Sequence, residues 1–395
     1  MGQTVVTGRG VVTPIGVGAD AFLDALEARR SGIEDGQGTC ADFDPSDWMD
    51  ARTQRRSDRF THLAVAAADQ ALEEAGLTDQ IGESIEPERV AVLIGTGIGG
   101  LSTLEQQTRA VVKDGERAVS PHMVPMMMPN AAAATVAMRT GAHGPGWCLV
   151  SACATGAHAV GEGKRMLERG DADVVIAGGS EAPLTPLAIA AFRQMGALSK
   201  AGRSCPFDAR RDGFVISEGA GVLILESEEH ARARGVKMHG AVAGYGASND
   251  AFHITQPDKD GRGAIDAMRA ALADADASTG DVGYVNAHGT STPFNDRIES
   301  LAVRSVWNGD APPISSTKSA IGHLLGAAGT VEAVAAMGAL ERRLLPPTLN
   351  YSEPDPDCDV DPIADGPRDA NGLVATLSNS FGFGGQNASL VFTAP

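Results

Sequence analysis

The sequence lacks several features that would mark whole classes of protein. Its longest apolar runs fall short of the roughly 18 residues that a membrane helix requires. Only five residues are cysteine, and their irregular spacing without a CxxC pair argues against a disulfide framework or a zinc site. Residues 1–20 have no basic start followed by a long apolar block, so no secretory signal is evident. These absences predict a cytoplasmic protein with no membrane partner.

Positive charge and aromatic side chains are also scarce. The 395 residues contain 32 Lys and Arg against 50 Asp and Glu, a formal net charge of −18, and aromatics make up 4%. Nucleic acids are bound through broad positive surfaces, so a nucleic-acid partner is not expected. Glycine is abundant instead, with 48 residues, which indicates many tight turns between apolar segments.

Short β-branched runs alternate with segments that carry apolar residues at helical spacing. Strands are predicted at 90–94, 174–177, 222–225 and 282–285, and helices at 19–30, 59–75, 156–169, 264–273 and 319–342. This alternation predicts a layered α/β fold with mostly parallel central strands. A glycine-rich turn followed by a strand occurs at 219–228 and again at 384–395, which hints at a duplication. A helix that ends at Gly235 divides the chain into halves, 1–235 and 236–395.

Cys153 lies in the segment VSACATG, where an apolar strand ends and a helix begins. A thiol at that point faces the positive end of a helix, which predicts a lowered pKa and a nucleophilic thiolate. The alternative is a small buried side chain, the usual role of a free cysteine. The other four cysteines lack this context and are interpreted as structural.

Three further segments have residue types suited to chemistry. His288 lies in a Gly-, Thr- and Ser-rich loop at a strand end, where α/β folds place functional groups. Lys318 and His323 open a long helix, and Phe383 lies in the glycine-rich segment NSFGFGG at 379–385. Alternatively, Lys318 is a solvated helix start, His323 packs in the core, and the last segment is an ordinary turn.

Taken in order, these segments resemble the β-ketoacyl-acyl-carrier-protein synthases, most closely their type II elongating branch. The resemblance spans essentially the whole chain, from VVTG at 5–8 through PFD at 206–208 to NSFGFGG at 379–385. It implies the thiolase fold, in which two similar α/β halves form five αβαβα layers, and a homodimer. It also implies acyl carrier protein as the partner, substrates carried on phosphopantetheine, and neither cofactor nor metal.

The resemblance assigns roles to individual residues. Cys153 would accept the acyl chain, with the backbone N–H groups of Cys153 and Phe383 stabilising the oxyanion. His288 and His323 would stabilise the enolate formed when malonyl-carrier protein loses CO2. Lys318 would orient His323 or tune its charge. The family reaction is thus a decarboxylative Claisen condensation.

Other residues match positions of the family with more peripheral roles. Phe383 matches a gating phenylalanine of the family, and Ile98 matches an apolar position in the acyl pocket. Asp296 and Glu332 match acidic residues near the site, whose role is either structural support or chemistry. Two threonines match residues that hold the pantetheine arm, and four arginines form a candidate carrier-protein surface; these are Thr290 and Thr292, and Arg52, Arg55, Arg56 and Arg59.

The sequence departs from the family in two places and leaves one alternative open. Cys205 stands where the family commonly has Arg, and Gln386 where it often has Thr. A non-catalytic chain-length factor lacks the nucleophile, and a thiolase has a second catalytic cysteine, so neither fits. A type II polyketide or polyene ketosynthase has the same catalytic residues and is the remaining alternative, with a chain-length factor as its possible partner chain.

Overall fold

Strands and helices alternate along residues 2–395, the part of the chain that the computed structural model describes. The strands are β1 Thr4–Thr13, β2 Gly16–Val17, β3 Ile33–Glu34, β4 Gln37–Gly38, β5 Val90–Gly95, β6 Gly146–Trp147, β7 Val174–Glu181, β8 Ile216–Ser217, β9 Gly219–Ser227, β10 Gly240–Asn249, β11 Val282–Asn286, β12 Ile314–Ser315, β13 Leu344–Leu345, β14 Arg368–Asp369, β15 Ala375–Phe381 and β16 Gln386–Thr393. The helices are α1 Ala19–Glu27, α2 Ala51–Gln54, α3 Arg59–Glu74, α4 Leu101–Asp114, α5 Met123–Met127, α6 Ala131–Thr140, α7 Thr155–Arg169, α8 Pro186–Gln194, α9 Glu228–Arg234, α10 Arg262–Asp274, α11 Pro293–Val306, α12 Lys318–Ile321 and α13 Ala328–Arg342.

The main sheet repeats one arrangement in both halves of the chain. Its strand order is β12-β11-β15-β16-β10-β1-β9-β7-β5-β6, with β2 paired to β1. In the first half β1 is followed outward by β9, β7 and β5, and in the second β10 is followed by β16, β15 and β11. Strands β9 and β16 therefore occupy equivalent places, which agrees with the duplication predicted from their glycine-rich turns.

The prediction of mostly parallel strands is wrong at the centre of the sheet. Parallel pairs join β5 to β6 and β7, and β11 to β12 and β15, whereas β1, β9, β10 and β16 pair antiparallel with their neighbours. Strands β15 and β16 are joined directly by the turn 382–385. So short a connection permits only an antiparallel pair, since a parallel pair needs a long crossover.

Helices cover both faces of the two half-sheets. Helices α7 and α13 pack against each other between the half-sheets, α3 packs on β1 and β9, and α10 packs on β10 and β16. Helix α13 is buried from Ala328 to Leu340, all but its last two residues, because it has sheet or helix on every side. The layers run helix, sheet, helix, sheet, helix, which confirms the predicted five-layered thiolase fold.

The helix predicted over 319–342 is not continuous. Helix α12 ends at Ile321, a 3-10 turn covers Leu325–Ala327, and α13 begins at Ala328. Gly322 has a φ of 72° and Leu325 a φ of 47°, left-handed conformations that interrupt a right-handed helix. His323 lies inside this break, where its backbone N–H donates to the carbonyl of Val215 at 2.7 Å.

Two further predictions concern the chain as a whole. Gly235 ends α9 in a left-handed conformation, as the sequence predicted for that position; the division into halves at this point stays a prediction. Among the helices of residues 2–395, none is long and apolar enough to cross a membrane.

Candidate active site

Cys153 lies in the 3-10 turn that leads into α7. This turn covers Ala152–Ala154, and Ala152 is held at a left-handed φ of 50°, which costs energy in a residue with a Cβ. The hydroxyl of Thr155 accepts a hydrogen bond from the Ser151 N–H at 2.9 Å and closes the turn. The fold therefore places the Cys153 thiol at the start of a helix, as the sequence pattern predicted.

His288 and His323 meet at this thiol from separate elements. His288 follows β11, and His323 lies in the break between α12 and α13. Their rings contact edge to face with centroids 5.4 Å apart, and Phe214 packs against His323 and Phe381 against His288. The Cys153 Sγ and one ring nitrogen of each histidine lie within 4.8 Å of one another. The structure thus brings together three residues that are far apart in the sequence.

The hydrogen bonding of His323 indicates where its proton lies. The Leu325 N–H donates to Nδ1 of His323 at 3.3 Å, so the neutral ring carries its proton on Nε2. That Nε2 is buried without a partner among residues 2–395 and is free to donate to a substrate oxygen. A thiol with two imidazoles is also a ligand set that Zn²⁺ accepts. The proton on Nε2 and the positive charge of Lys318 oppose a cation here, so the arrangement favours hydrogen-bond donation.

Lys318 is buried and paired with Glu332 of α13. Its ammonium contacts Oε1 of that carboxylate, and both side chains are 1% exposed, so the solvated helix start considered for Lys318 is wrong. Burial raises the pKa of Glu332 to about 6 against the opposing effect of Lys318. The Lys318 charge also lowers the pKa of Cys153 and of both histidines. One ion pair therefore acts electrostatically on the whole cluster.

The ionisation of Cys153 is dominated by burial. Burial raises the pKa of its thiol to about 11, although the Lys318 charge and the N–H of Phe383 lower it. The predicted low pKa is therefore wrong, because a thiolate loses its hydration in this enclosed position. Burial holds the pKa of His288 and His323 well below the usual range, so both imidazoles are neutral near pH 7. A neutral imidazole still donates a hydrogen bond through its one N–H, as the hydrogen bonding of His323 indicates for its Nε2.

The reactivity of Cys153 toward iodoacetamide is accordingly expected to rise steadily with pH. Because the thiolate is the reactive form and the pKa is about 11, each pH unit between 7 and 10 should increase the alkylation rate about ten-fold. The measurement is the rate of mass gain on the Cys153 peptide, with Cys153→Ala as the control. A rate that levels off near pH 8 would contradict the high pKa.

The thiol faces a cavity of about 450 Å³. Ile98 and Phe383 line it, together with Thr290 and Thr292, whose hydroxyl oxygens are 3.0 Å apart. Four residues that the sequence singled out beside the cluster therefore lie around one cavity with Cys153. Their individual roles stay predictions.

Two buried carboxylates that the sequence did not single out hold the loops of the site. Glu299 of α11 accepts hydrogen bonds from the backbone N–H groups of His288 and Gly289 at 2.8 and 2.7 Å, and burial raises its pKa to about 7. Glu181, at the end of β7, accepts four hydrogen bonds from other segments near the cavity. The sequence signal that could have identified Glu181 is an acidic residue among small and apolar neighbours, as in GGSEA at 178–182.

Family models match consecutive parts of the chain. The beta-ketoacyl synthase N-terminal domain matches residues 37–231, and the beta-ketoacyl synthase C-terminal domain matches residues 239–352. The chain belongs to the β-ketoacyl synthase family.

Individual members of this family match over nearly the whole chain. The 3-oxoacyl-[acyl-carrier-protein] synthase 2 of Synechocystis sp. (strain ATCC 27184 / PCC 6803 / Kazusa) is 43% identical over 411 residues, covering 99% of this chain and 97% of that protein. The ishigamide ketosynthase/chain length factor structure has a TM-score of 0.93 at 33% identity, covering 100% and 99% of the two chains. A type II polyketide synthase acyl-carrier protein in complex with its ketosynthase has a TM-score of 0.91 at 34% identity and covers 100% of each chain.

The arginines predicted as a β-ketoacyl synthase docking surface divide into two groups. Arg52, Arg55 and Arg56 lie in or just after α2 and are exposed, and within residues 2–395 none of them has a carboxylate within 4.0 Å. Arg59 instead binds the buried Glu218, with guanidinium-to-carboxylate distances of 2.7 Å. The positive charge of this surface that no carboxylate neutralises therefore comes from Arg52, Arg55 and Arg56. Docking of a carrier protein there stays a prediction.

The two departures from the family pattern have local effects. Cys205 is fully buried, and its backbone N–H donates to the Ser291 hydroxyl, so its side chain does not reach the surface. Gln386 begins β16, and its carbonyl accepts from the Gly382 N–H at 2.7 Å, which closes the turn that carries Phe383. Asp296 accepts from backbone N–H groups of Phe207 and Ser291, an arrangement that fits structural support.

Proposed function

We propose that the chain is a β-ketoacyl-acyl-carrier-protein synthase that elongates an acyl chain by decarboxylative condensation with malonyl-carrier protein. The observation that carries this proposal is the meeting of the Cys153 thiol with His288 and His323, within 4.8 Å, beside one cavity. A thiol next to two neutral imidazoles suits a reaction that needs first a nucleophile and then two hydrogen-bond donors. The whole-chain likeness to a 3-oxoacyl-acyl-carrier-protein synthase 2 supports the same reaction.

In the first step Cys153 takes the acyl group from its carrier protein. The sulfur attacks the thioester carbonyl carbon, and the pantetheine sulfur leaves with the proton that Cys153 gives up. The backbone N–H groups of Cys153 and Phe383 would bind the carbonyl oxygen as it becomes negative. The N–H of Phe383 already lies close enough to the Cys153 sulfur to lower its pKa, which supports its place in this oxyanion hole.

In the second step malonyl-carrier protein provides the new carbons. Its carbon–carbon bond to the terminal carboxylate breaks, CO2 leaves, and the bonding electrons form an enolate on the thioester. His288 and His323 would donate hydrogen bonds to the enolate oxygen, and the Nε2 proton of His323 is available for this. The enolate carbon then attacks the Cys153 thioester and expels the thiolate, giving a 3-ketoacyl product. These steps require no metal and no organic cofactor.

Acyl carrier protein is the partner that this reaction requires. A solved relative, the type II polyketide synthase ketosynthase, is bound to its acyl-carrier protein. We place the docking surface at Arg52, Arg55 and Arg56, an exposed positive patch on a chain of net charge −18. The hydroxyls of Thr290 and Thr292 would hold the pantetheine arm at the cavity.

A second protein chain would cover one exposed apolar face. Strand β6 is an edge of the main sheet, and large apolar side chains stand exposed on it and on the helices α4 and α6, among them Trp147, Val112 and Met138. An unpaired edge strand among exposed apolar side chains is typical of a protein interface. We propose a second copy of this chain there; a chain-length factor, as in the ishigamide structure, is the alternative.

Intact-protein mass spectrometry tests this function. The purified chain is mixed with acyl carrier proteins that carry saturated chains of graded length and, separately, with ones that carry conjugated or keto-bearing chains. It should gain the mass of the acyl group from the saturated donors, and Cys153→Ala should gain nothing. No gain with any donor would overturn the proposal of a stand-alone synthase. A preference for conjugated or keto-bearing chains would favour the polyketide alternative. One similar solved structure, a type II polyketide ketosynthase, is bound to a hexaketide.

A further inference from the structure

Glu181 is a charged side chain that the proposed mechanism does not use. It ends β7 and is fully buried. Its Oε1 accepts from the Thr96 hydroxyl at 2.8 Å and from the Ile98 N–H at 3.1 Å. Its Oε2 accepts from the Gly97 N–H at 2.7 Å and from the Gly326 N–H at 3.0 Å. One carboxylate therefore satisfies three backbone N–H groups and a hydroxyl that come from two separate segments.

The two segments that Glu181 joins both line the cavity. One carries Ile98, and the other carries Leu325, the residue whose N–H donates to Nδ1 of His323. The segments are also in direct contact, since a Cβ added at Gly326 would lie 2.5 Å from the Gly97 nitrogen and 2.8 Å from Oε2 of Glu181. Such close packing leaves no space for a larger residue or a water molecule between them. The position of Ile98 relative to His323 and Cys153 thus depends on this carboxylate.

We propose that Glu181 is a positioning residue that fixes Ile98 against the turn after His323 and thereby determines which acyl chains fit beside Cys153. The identity of the natural substrate in this inference rests on the proposed function. The geometric part rests only on the cavity and on the four hydrogen bonds. Glu181 acts through Ile98 and does not contact the thiol.

Glu181→Gln is a sharp test, because an amide has one hydrogen-bond acceptor oxygen where a carboxylate has two. The side chain keeps almost the same shape. Its amide NH2 cannot face Gly97 and Gly326, which both present N–H donors, whereas the Thr96 hydroxyl can accept. The NH2 group is therefore expected on the Thr96 side, where it leaves the Ile98 N–H without an acceptor. A buried N–H in this state is costly, so the segment should shift until the N–H finds a partner.

The measurement is the rate at which N-alkyl iodoacetamides of graded alkyl length modify Cys153. These probes need only a reactive thiol and an accessible pocket, so they remain informative even if the chain accepts no acyl group from a carrier protein. We expect Glu181→Gln to reduce the ratio between the best and the worst alkyl length about ten-fold. In an Ile98→Ala background, the same substitution should cause no further change, since the effect passes through Ile98.

Glu226→Gln is the matched control. Glu226 is buried on β9 at the opposite end of the same strand pair and binds Thr7, His230 and Arg234. Glu226→Gln should change the stability of the fold but not the dependence of the Cys153 alkylation rate on alkyl length, which is the length profile. If Glu181→Gln does not fold, Thr96→Val removes a donor to the same carboxylate and should reduce the ratio in the same direction. A length profile identical to wild type in either variant, or an undiminished effect in the Ile98→Ala background, would overturn the inference.

Discussion

Alanine at position 323 is expected to slow carbon–carbon bond formation about 10²–10³-fold while acylation of Cys153 continues. Nδ1 of His323 accepts from the Leu325 N–H, so the proton is on Nε2, and this Nε2 has no hydrogen-bond partner within residues 2–395. The proposed enolate would therefore lose one of its two side-chain donors. Removing one such donor typically costs about 10²–10³ in rate, which we expect for CO2 release from malonyl-carrier protein. Acyl transfer uses Cys153 and backbone N–H groups, so its rate should fall less than about ten-fold.

Two measurements on one sample separate these steps. Intact mass reports acyl transfer to Cys153, and CO2 release reports decarboxylation. His239→Ala is a suitable control, because His239 is a buried histidine outside the cavity. Equal losses in both steps for His323→Ala would show that His323 takes part in acylation as well. The separation of donor and nucleophile proposed above would then be wrong.

The sequence predicted the layers of the fold well because apolar periodicity reports burial directly. The predicted helix at 59–75 and strand at 90–94 agree with α3 and β5 to within one residue. Strand direction was predicted less well, since an apolar run has the same pattern whether its neighbour is parallel or antiparallel. The short turn before Gln386 was the overlooked evidence for an antiparallel pair.

The active-site residues were recognisable, but their electrostatic state was not. His323 lies in the break between α12 and α13. The small apolar residues around it have helical spacing, so the sequence predicted one continuous helix there. The local pattern around Cys153 indicated a helix terminus, yet the pKa depends on how completely distant segments enclose the thiol. Glu181 and Glu299 act through hydrogen bonds to loops remote in sequence, which no local spacing reveals. Burial and long-range contacts are properties of the folded chain.

Methionine at position 318 is expected to destabilise the fold strongly, because it removes the only ion-pair partner of Glu332 within residues 2–395. Breaking a buried pair by deleting one member typically costs about 3–5 kcal/mol, since the other charge remains buried. Lys318 now lowers the pKa of Glu332, which burial has raised to about 6 from 4.5. Without Lys318 that pKa rises further above its unfolded value.

The sign of the pH dependence follows from this shift. A carboxyl whose folded pKa is raised costs nothing at low pH, where both states are protonated. Its cost grows as the pH rises from the unfolded pKa to the folded pKa and is constant above that, so the higher folded pKa of Glu332 in Lys318→Met extends the loss to higher pH. Unfolding by denaturant should therefore show a larger deficit of Lys318→Met against wild type at pH 8 than at pH 5. An equal deficit at both values would mean that lost packing, not the unpaired carboxylate, is responsible.

A second substitution separates stability from chemistry. Adding Glu332→Gln to Lys318→Met removes the stranded charge and should recover most of the lost free energy of unfolding. The reactivity of Cys153 should not recover together with the stability, because the Lys318 charge that lowers the pKa of Cys153 is still missing. Alkylation of Cys153 should accordingly remain slower than in wild type at the same pH. A double variant that regained both stability and wild-type alkylation would show that Lys318 serves the fold alone.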